Sequence, residues 1–138
     1  MKKKYLISAI IILVFISIIG VIIVLYNTPD IRIGMSHSAD NQVNYPLISY
    51  RSTLGIGMSN SAQEKCNKVC AEFNDTVGKD RDFILTNYSD LKLDTDISYD
   101  GDKTIIHLYG SGIPKGGDMP ESIDYSYTIN YKLKPENQ

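Results

Sequence analysis

The sequence has no tryptophan, two histidines and two cysteines, so side chains that commonly carry chemistry are scarce. Neither a nucleophile elbow nor a Ser–His–Asp order is present, and two histidines leave a small acid–base repertoire. Cys-x-x-Cys spacing is also missing, which removes the usual signature of a redox site at a helix start. These absences favour a non-catalytic protein and imply no cofactor. An enzymatic role stays open through the thiol alternative described below.

Charge is absent from residues 6–26, where 16 of 21 residues are Leu, Ile, Val or Phe. As a helix this segment is about 31 Å long, which matches the hydrocarbon core of a bilayer. Insertion free energies of its apolar residues sum to about −5 to −10 kcal/mol. The segment is therefore predicted to be a transmembrane helix. It lacks the small-xxx-small pairs that favour tight helix dimers.

Three lysines, Lys2 to Lys4, precede the apolar segment and predict a short cytoplasmic tail over residues 1–5. A cleaved secretory signal is the alternative, because it also combines a basic start with an apolar run. The run exceeds the usual 7–15 residues of a signal core, and no small-x-small site follows it. No cysteine follows closely either, which opposes a lipoprotein anchor. We expect a retained signal-anchor in the cell membrane, single-pass, with the rest of the chain outside.

Residues 27–138 carry 11 Lys and Arg against 16 Asp and Glu, a net charge of −5. Nucleic-acid binding requires cations to neutralise phosphates, so this excess of acid argues against it. The chain is rich in Ile, Lys, Asn, Asp and Tyr, as is typical of proteins from AT-rich bacterial genomes. A bacterial envelope protein fits both observations.

Residues 27–44 are polar and predict a stalk or a loosely packed segment, followed by an extracytoplasmic α+β domain over 45–138. Ser61-x-x-Glu64 fits a capping box at a helix start, and Gly78 is the expected stop. Apolar residues recur between them at helical spacing along one face, which has to pack against other elements. They are Ala62, Cys66, Val69, Cys70, Phe73 and Val77.

Alternating apolar and polar residues predict strands in the rest of the domain. Strands are expected near residues 47–56, 83–88, 91–99, 104–109 and 125–133, with a Gly-rich loop over 110–122. Asp100-Gly101 between two alternating segments is typical of a hairpin with a two-residue turn, placing Ile97 opposite Thr104. The predicted fold is one amphipathic helix packed on an antiparallel sheet of four or five strands.

A heptapeptide occurs twice with one difference, as IGMSHSA over 33–39 and IGMSNSA over 56–62. One interpretation makes both copies strand-to-helix junctions with serine caps, so that the first copy begins a short helix. The other makes them equivalent loops that grip one ligand or partner. The first interpretation is favoured because serine-rich junctions commonly cap helices.

Cys66 and Cys70 lie four residues apart on the apolar face of the predicted helix, which leaves three interpretations open. They are small buried thiols, a disulfide suited to an oxidising exterior, or a redox pair. Together with His37 and His107 they make a formal four-ligand zinc set, but its spacing matches no familiar zinc pattern.

Several aspartates near the predicted hairpin raise the possibility of a calcium loop formed by Asp96, Asp100 and Asp102. The position that requires a bidentate glutamate holds His107 instead. The hairpin accounts for the same residues, so no metal site is predicted.

Two functions are consistent with these features. The first is a non-catalytic, membrane-tethered domain that binds another envelope protein or a peptide. Its partner-binding candidates are Tyr125, Tyr127 and Tyr131, because tyrosines are favoured at interfaces and an edge strand can accept another strand. The second is a thiol- or metal-dependent envelope factor that uses Cys66 and Cys70, assisted by His107.

Overall fold

The computed structural model describes residues 2–136, which divide by their contacts into two compact units. One unit holds the chain up to Asp30 together with Arg51–Lys65; the other holds Ile31–Tyr50 and the chain from Cys66 onward. The elements in chain order are α1 (Lys2–Asn27), β1 (Pro29–His37), β2 (Asn44–Ser52), α2 (Asn60–Phe73), a π-helical segment (Asn74–Gly78), α3 (Lys79–Asn87), β3 (Tyr88–Asp100), β4 (Lys103–Pro114), β5 (Glu121–Ile129) and β6 (Lys134–Pro135).

Helix α1 is 26 residues long and contains the predicted apolar segment. None of its side chains is buried, and within residues 2–136 it is the one helix long and apolar enough to cross a membrane. A helix of this kind at an N-terminus serves as a membrane anchor or as a signal sequence.

The loop between β2 and α2 closes on the end of α1 within the first unit. The Thr53 hydroxyl donates to the carbonyl of Thr28 over 2.8 Å, and the Ser59 amide donates to that of Tyr26 over 3.0 Å. An ion pair of 3.0 Å joins Arg51 to the buried carboxylate of Asp30. These contacts fix the loop against the end of α1 and the residues that follow it.

The cap of helix α2 lies two residues earlier than predicted, at Ser59 instead of Ser61. The Ser59 hydroxyl accepts from the Ala62 amide at 3.2 Å, and the helix begins at Asn60. The predicted apolar face is otherwise present, because Cys66, Val69 and Phe73 are buried.

Gly78 does not end the helix, contrary to the prediction, and the chain stays helical to Asn87. Its φ of −62° and ψ of −43° are ordinary helical values, so the glycine does not use its freedom to turn left-handed. The predicted strand at 83–88 is therefore wrong for most of its length. Ile84 is buried while Phe83 is 58% exposed, and a short apolar run does not distinguish a strand from a helix by periodicity alone.

Two three-stranded sheets replace the predicted single sheet of four or five strands, with orders β2-β1-β6 and β3-β4-β5. We call the second the meander sheet; both of its strand pairs are antiparallel. In the first sheet β1 pairs in parallel with β6, Arg32 lying opposite Lys134. A pairing of segments a hundred residues apart leaves no local sequence pattern, which is why the prediction missed it.

The segment 27–44, expected to be a stalk or loosely packed, instead contains β1 with Ile31 and Ile33 buried. The first IGMSxSA copy therefore runs along a strand into a turn and starts no helix. The second copy forms a loop and the start of α2, as proposed. One heptapeptide thus takes two structures because its surroundings differ.

The hairpin between β3 and β4 exists, but its register differs from the prediction by two residues. Gly101 and Asp102 form the turn, so Ile97 lies opposite Ile106 and Tyr99 opposite Thr104. Gly101 has φ of 59° and takes the first central position, as glycine does in turns of type II′. The inward face is unchanged, because a shift of two residues preserves the alternation.

The predicted last strand, 125–133, is confirmed only as far as Ile129, where β5 ends; a bend follows and leads to β6. The buried hydroxyl of Thr104 donates to the Tyr131 carbonyl over 2.6 Å and accepts from the Leu133 amide at 2.8 Å, which holds the bend. The core of the second unit is aliphatic with one phenylalanine and one cysteine, and its buried members are Ile31, Ile33, Cys66, Val69, Phe73, Val77, Ile84, Leu93, Ile106, Leu108, Ile123, Ile129 and Leu133.

Candidate functional site

The β3 edge of the meander sheet is closed by a neighbouring segment of the chain. Val43 forms an isolated bridge with Leu93, whose amide donates to the Gln42 carbonyl over 3.0 Å. The Thr95 hydroxyl donates to the Asn44 carbonyl, also over 3.0 Å. Near the start of β3, an irregularity between Ser89 and Lys92 interrupts the register of its pairing with β4. Bridges, bulges and covering segments are the usual protections of an exposed sheet edge.

The β5 edge shows none of these protections within residues 2–136. Strand β5 is nine residues long, contains no proline and pairs with β4 in one unbroken register from Glu121 to Ile129. It is the terminal strand of its sheet, and no described strand lies beyond it. In such a strand alternate backbone amides and carbonyls point away from the sheet, ready to pair with another strand. We call this row of backbone groups the open edge.

Of the three predicted partner-binding tyrosines, one is placed on the surface of β5. Tyr125 is 43% exposed. Tyr127 is half-buried, and its hydroxyl donates to the Asp80 carboxylate over 2.6 Å. Tyr131 lies in the bend after β5 and is also half-buried. The structure thus separates a surface tyrosine from two whose rings are partly covered.

Contacts on β5 fix the strand without covering its edge. Burial, and next the Asp80 carboxylate, raise the pKa of Tyr127, so its hydroxyl remains a donor in neutral solution. Just after the strand, the Asn130 amide donates to the Glu72 carboxylate over 3.2 Å. Glu72 lies at the end of α2 and Asp80 at the start of α3, so these two helices orient β5 from one side.

The solvent face of the meander sheet carries a small polar cluster. His107 Nε2 lies 2.5 Å from Asp124 Oδ1, and the His107 and Tyr109 ring centroids are 5.0 Å apart. Tyr109 Oη lies 3.5 Å from Asp96 Oδ1. Burial, followed by the charges of Asp94 and Asp96, raises the pKa of Tyr109. The cluster places carboxylates next to the open edge, through Asp124 on β5 itself.

A shallow groove of about 430 Å³ lies on the closed side of the meander sheet. It is rich in amide side chains and has one aromatic ring; the lining residues are Asn41, Gln42, Asn44, Lys92, Leu93, Asp94, Tyr109 and Gly110. Sequence reasoning missed this groove because it joins residues 41–44 to β3 and β4 across fifty positions of chain.

Both cysteines carry thiols in this structure, Cys66 fully buried and Cys70 half-buried. Burial raises the pKa of both thiols, and the neighbouring Cys70 raises that of Cys66 further. A raised pKa keeps a thiol protonated at neutral pH, whereas a nucleophile or metal ligand must be a thiolate. The environment of Cys66 and Cys70 is therefore that of packed side chains, and a disulfide between them stays a prediction.

The candidate metal ligands are not gathered into one place. Among residues 2–136 no three His, Cys, Asp or Glu side chains are grouped so as to hold a metal ion. Asp96 lies opposite His107 in the sheet, Asp100 lies opposite Lys103, and Asp102 belongs to the turn. They therefore sit along the hairpin, as its sequence pattern suggested.

No family model, no curated protein and no solved structure matches the chain.

Proposed function

We propose that the chain is a single-pass envelope protein whose α+β domain binds an extended segment of another protein by strand addition to the open edge. In this proposal residues 6–26 of α1 remain as the membrane anchor. The N-terminus is cytoplasmic and the domain lies outside, as the preceding lysines favour. The partner is a protein or peptide of the envelope.

The observation that carries the proposal is the unequal protection of the two edges of the meander sheet. Natural sheets commonly protect their edges, and an unprotected regular strand is a template for pairing with another chain. Strand addition uses precisely such an edge: main-chain hydrogen bonds supply affinity, and side chains near them supply specificity. Nine residues offer about 30 Å of edge, enough for a full partner strand.

Side chains around the open edge support the same interaction. Tyr125 presents a large amphipathic ring at the surface, a type of residue enriched at interfaces. Glu121 and Asp124 are exposed acids on the strand. They favour a partner segment with a basic residue over an acidic one.

Site-specific photo-cross-linking in native membranes tests the proposal. A photoreactive residue at Thr128, exposed on β5, is expected to capture one partner, whereas the same residue at Asp94, exposed on β3 between the covered Leu93 and Thr95, is expected not to. Adding Ser126→Lys should abolish the Thr128 adduct, because lysine on an edge strand opposes pairing and would repel the basic partner segment that Asp124 favours.

Capture at both positions, or capture that survives Ser126→Lys, would contradict strand addition. A control variant, Lys115→Ser, changes an exposed residue of the β4–β5 loop and should leave the Thr128 adduct unchanged. Retention of the anchor is measured separately, by resistance of the chain to carbonate extraction from the same membranes.

A further inference from the structure

The loop between β2 and α2 presents an apolar side chain almost completely to solvent. Ile56 is 84% exposed, the largest exposure of any large apolar side chain among the described residues, including those of α1. Gly55 and Gly57 flank it with φ of 73° and 137°, and a Cβ at either position would meet open space. Leu54 and Met58 lie on either side of the glycines and are half-buried. We call Thr53–Met58 the apolar loop.

The apolar loop has a defined shape. The Ser52 hydroxyl donates to the Gly57 carbonyl, and the Gly57 amide donates back to that hydroxyl over 3.1 Å. The Gly55 amide donates to the Ser52 carbonyl over 3.2 Å. Ile56 is thus held at the tip by a hydrogen-bonded base, and its exposure follows from the loop structure.

The base of the loop is bound to Tyr26 in the last turn of α1 and to Thr28, just beyond the end of the helix. Thr53 bonds to the carbonyl of Thr28 over 2.8 Å, and Ser59 bonds to that of Tyr26 over 3.0 Å. Tyr26 is the final residue of the apolar segment 6–26, so a spanning α1 places it at the boundary between hydrocarbon and headgroups. Three residues separate Ser59 from Ile56, a reach of about 10 Å at most.

We infer that the apolar loop inserts Ile56 beside α1 into the headgroup region on the non-cytoplasmic side of the membrane. This insertion forms a second contact between the protein and the lipid surface. Ile56 lies within about 10 Å of Ser59, which is bonded to Tyr26 at the boundary, so its side chain can pass from water to an apolar environment at little structural cost. The glycines allow this approach because they carry no side chains that would meet headgroups. The inference rests on the anchor in the proposed function, and it assigns a role to the second IGMSxSA copy.

Single-tryptophan fluorescence tests the inference, because the sequence contains no tryptophan. Three variants of the full chain, Ile56→Trp, Val14→Trp and Met119→Trp, are reconstituted in phosphatidylcholine vesicles with bromine at a shallow or a deep acyl position. Val14 lies in the middle of α1 and reports the anchor itself. Met119 is 72% exposed in the β4–β5 loop and reports general adsorption of the domain.

The inference predicts blue-shifted emission from Ile56→Trp, quenched more by shallow than by deep bromine, with Val14→Trp quenched most by deep bromine. Water-like, unquenched emission from Ile56→Trp beside a quenched Val14→Trp would overturn the inference and leave the anchor intact. Loss of quenching in both variants would overturn the anchor and the inference together. Equal quenching of Met119→Trp and Ile56→Trp would also overturn it, by showing unspecific adsorption. Leu54→Trp repeats the measurement at a second position of the loop.

Discussion

The two edges of the meander sheet belong to one small domain but differ in their contacts. Other parts of the chain bond to the β3 edge, whereas the β5 edge has no such bonds among the described residues. At β3 the chain contributes a bridge from Val43, a backbone bond from Leu93 and a side-chain bond from Thr95. At β5 the strand is regular, and its described neighbours orient it only from one face and one end. The domain thus covers the backbone groups of the sheet edge at β3 and leaves those of β5 uncovered among the described residues.

Closure of the β3 edge joins that strand to the core, because Leu93 serves both as edge residue and as core residue. It is 2% exposed and packs in a cluster with Ile84 and Ile123. On β5, Ile123 belongs to the same cluster, so both strands contribute side chains to the core and differ in what covers their outward backbone groups. Backbone exchange should therefore separate the two edges, whereas stability should separate core side chains from surface ones.

The largest expected effect concerns the closed edge. Leu93→Ala should lower the free energy of unfolding by about 2–5 kcal/mol, because it removes a buried leucine and leaves a cavity. Tyr125→Ala, a change on the solvent-exposed side of β5, should alter it by about 0.5 kcal/mol or less, because that ring lies at the surface. Urea denaturation of the full chain in detergent measures both. Equal costs for the two variants would show that Leu93 is not packed in the core as described.

A smaller effect concerns the bond that orients β5 from its inner side. Tyr127→Phe should cost about 0.5–1.5 kcal/mol near neutral pH, through loss of the bond to Asp80. The raised pKa of Tyr127 means that the folded state retains its proton where the unfolded chain, with a pKa of about 10, loses it. This contribution is complete below pH 10 and is lost as the pH rises through the higher folded value.

The difference in stability between wild type and Tyr127→Phe should therefore change above pH 10, wild type losing more. Parallel stability curves for the two proteins from pH 9 to pH 11 would show that the phenol is not held as described. Tyr99 and Tyr109, whose pKa values are also raised, account for alkaline destabilisation that remains in the variant.

The sequence was informative wherever structure follows from local chemistry. Uninterrupted apolarity predicted the helix at residues 6–26, and helical spacing of Cys66, Val69 and Phe73 predicted the buried face of α2. The β3–β4 hairpin followed from an Asp-Gly pair between alternating segments. Its register was missed because the glycine, needed for a positive φ, takes the first rather than the second central position.

Long-range contacts account for what the sequence did not reveal. The pairing of β1 with β6, the closure of β3 by residues 42–44 and the bond from Tyr127 to Asp80 join positions far apart in the chain. None of them has a periodic signal, so residues 27–44 were interpreted as a stalk and all three tyrosines as equivalent. The candidate site emerges only when the strands are placed in order, because an edge is a property of the sheet.

Amide hydrogen exchange of the purified full chain in detergent, resolved residue by residue, tests the difference between the two edges most directly. The account predicts slow exchange at Leu93 on β3, and along β5 an alternation of slow amides that face β4 with fast amides that face outward. Uniformly slow exchange from Ser122 to Thr128 would contradict the account, because the edge proposed to receive a partner strand would already be covered.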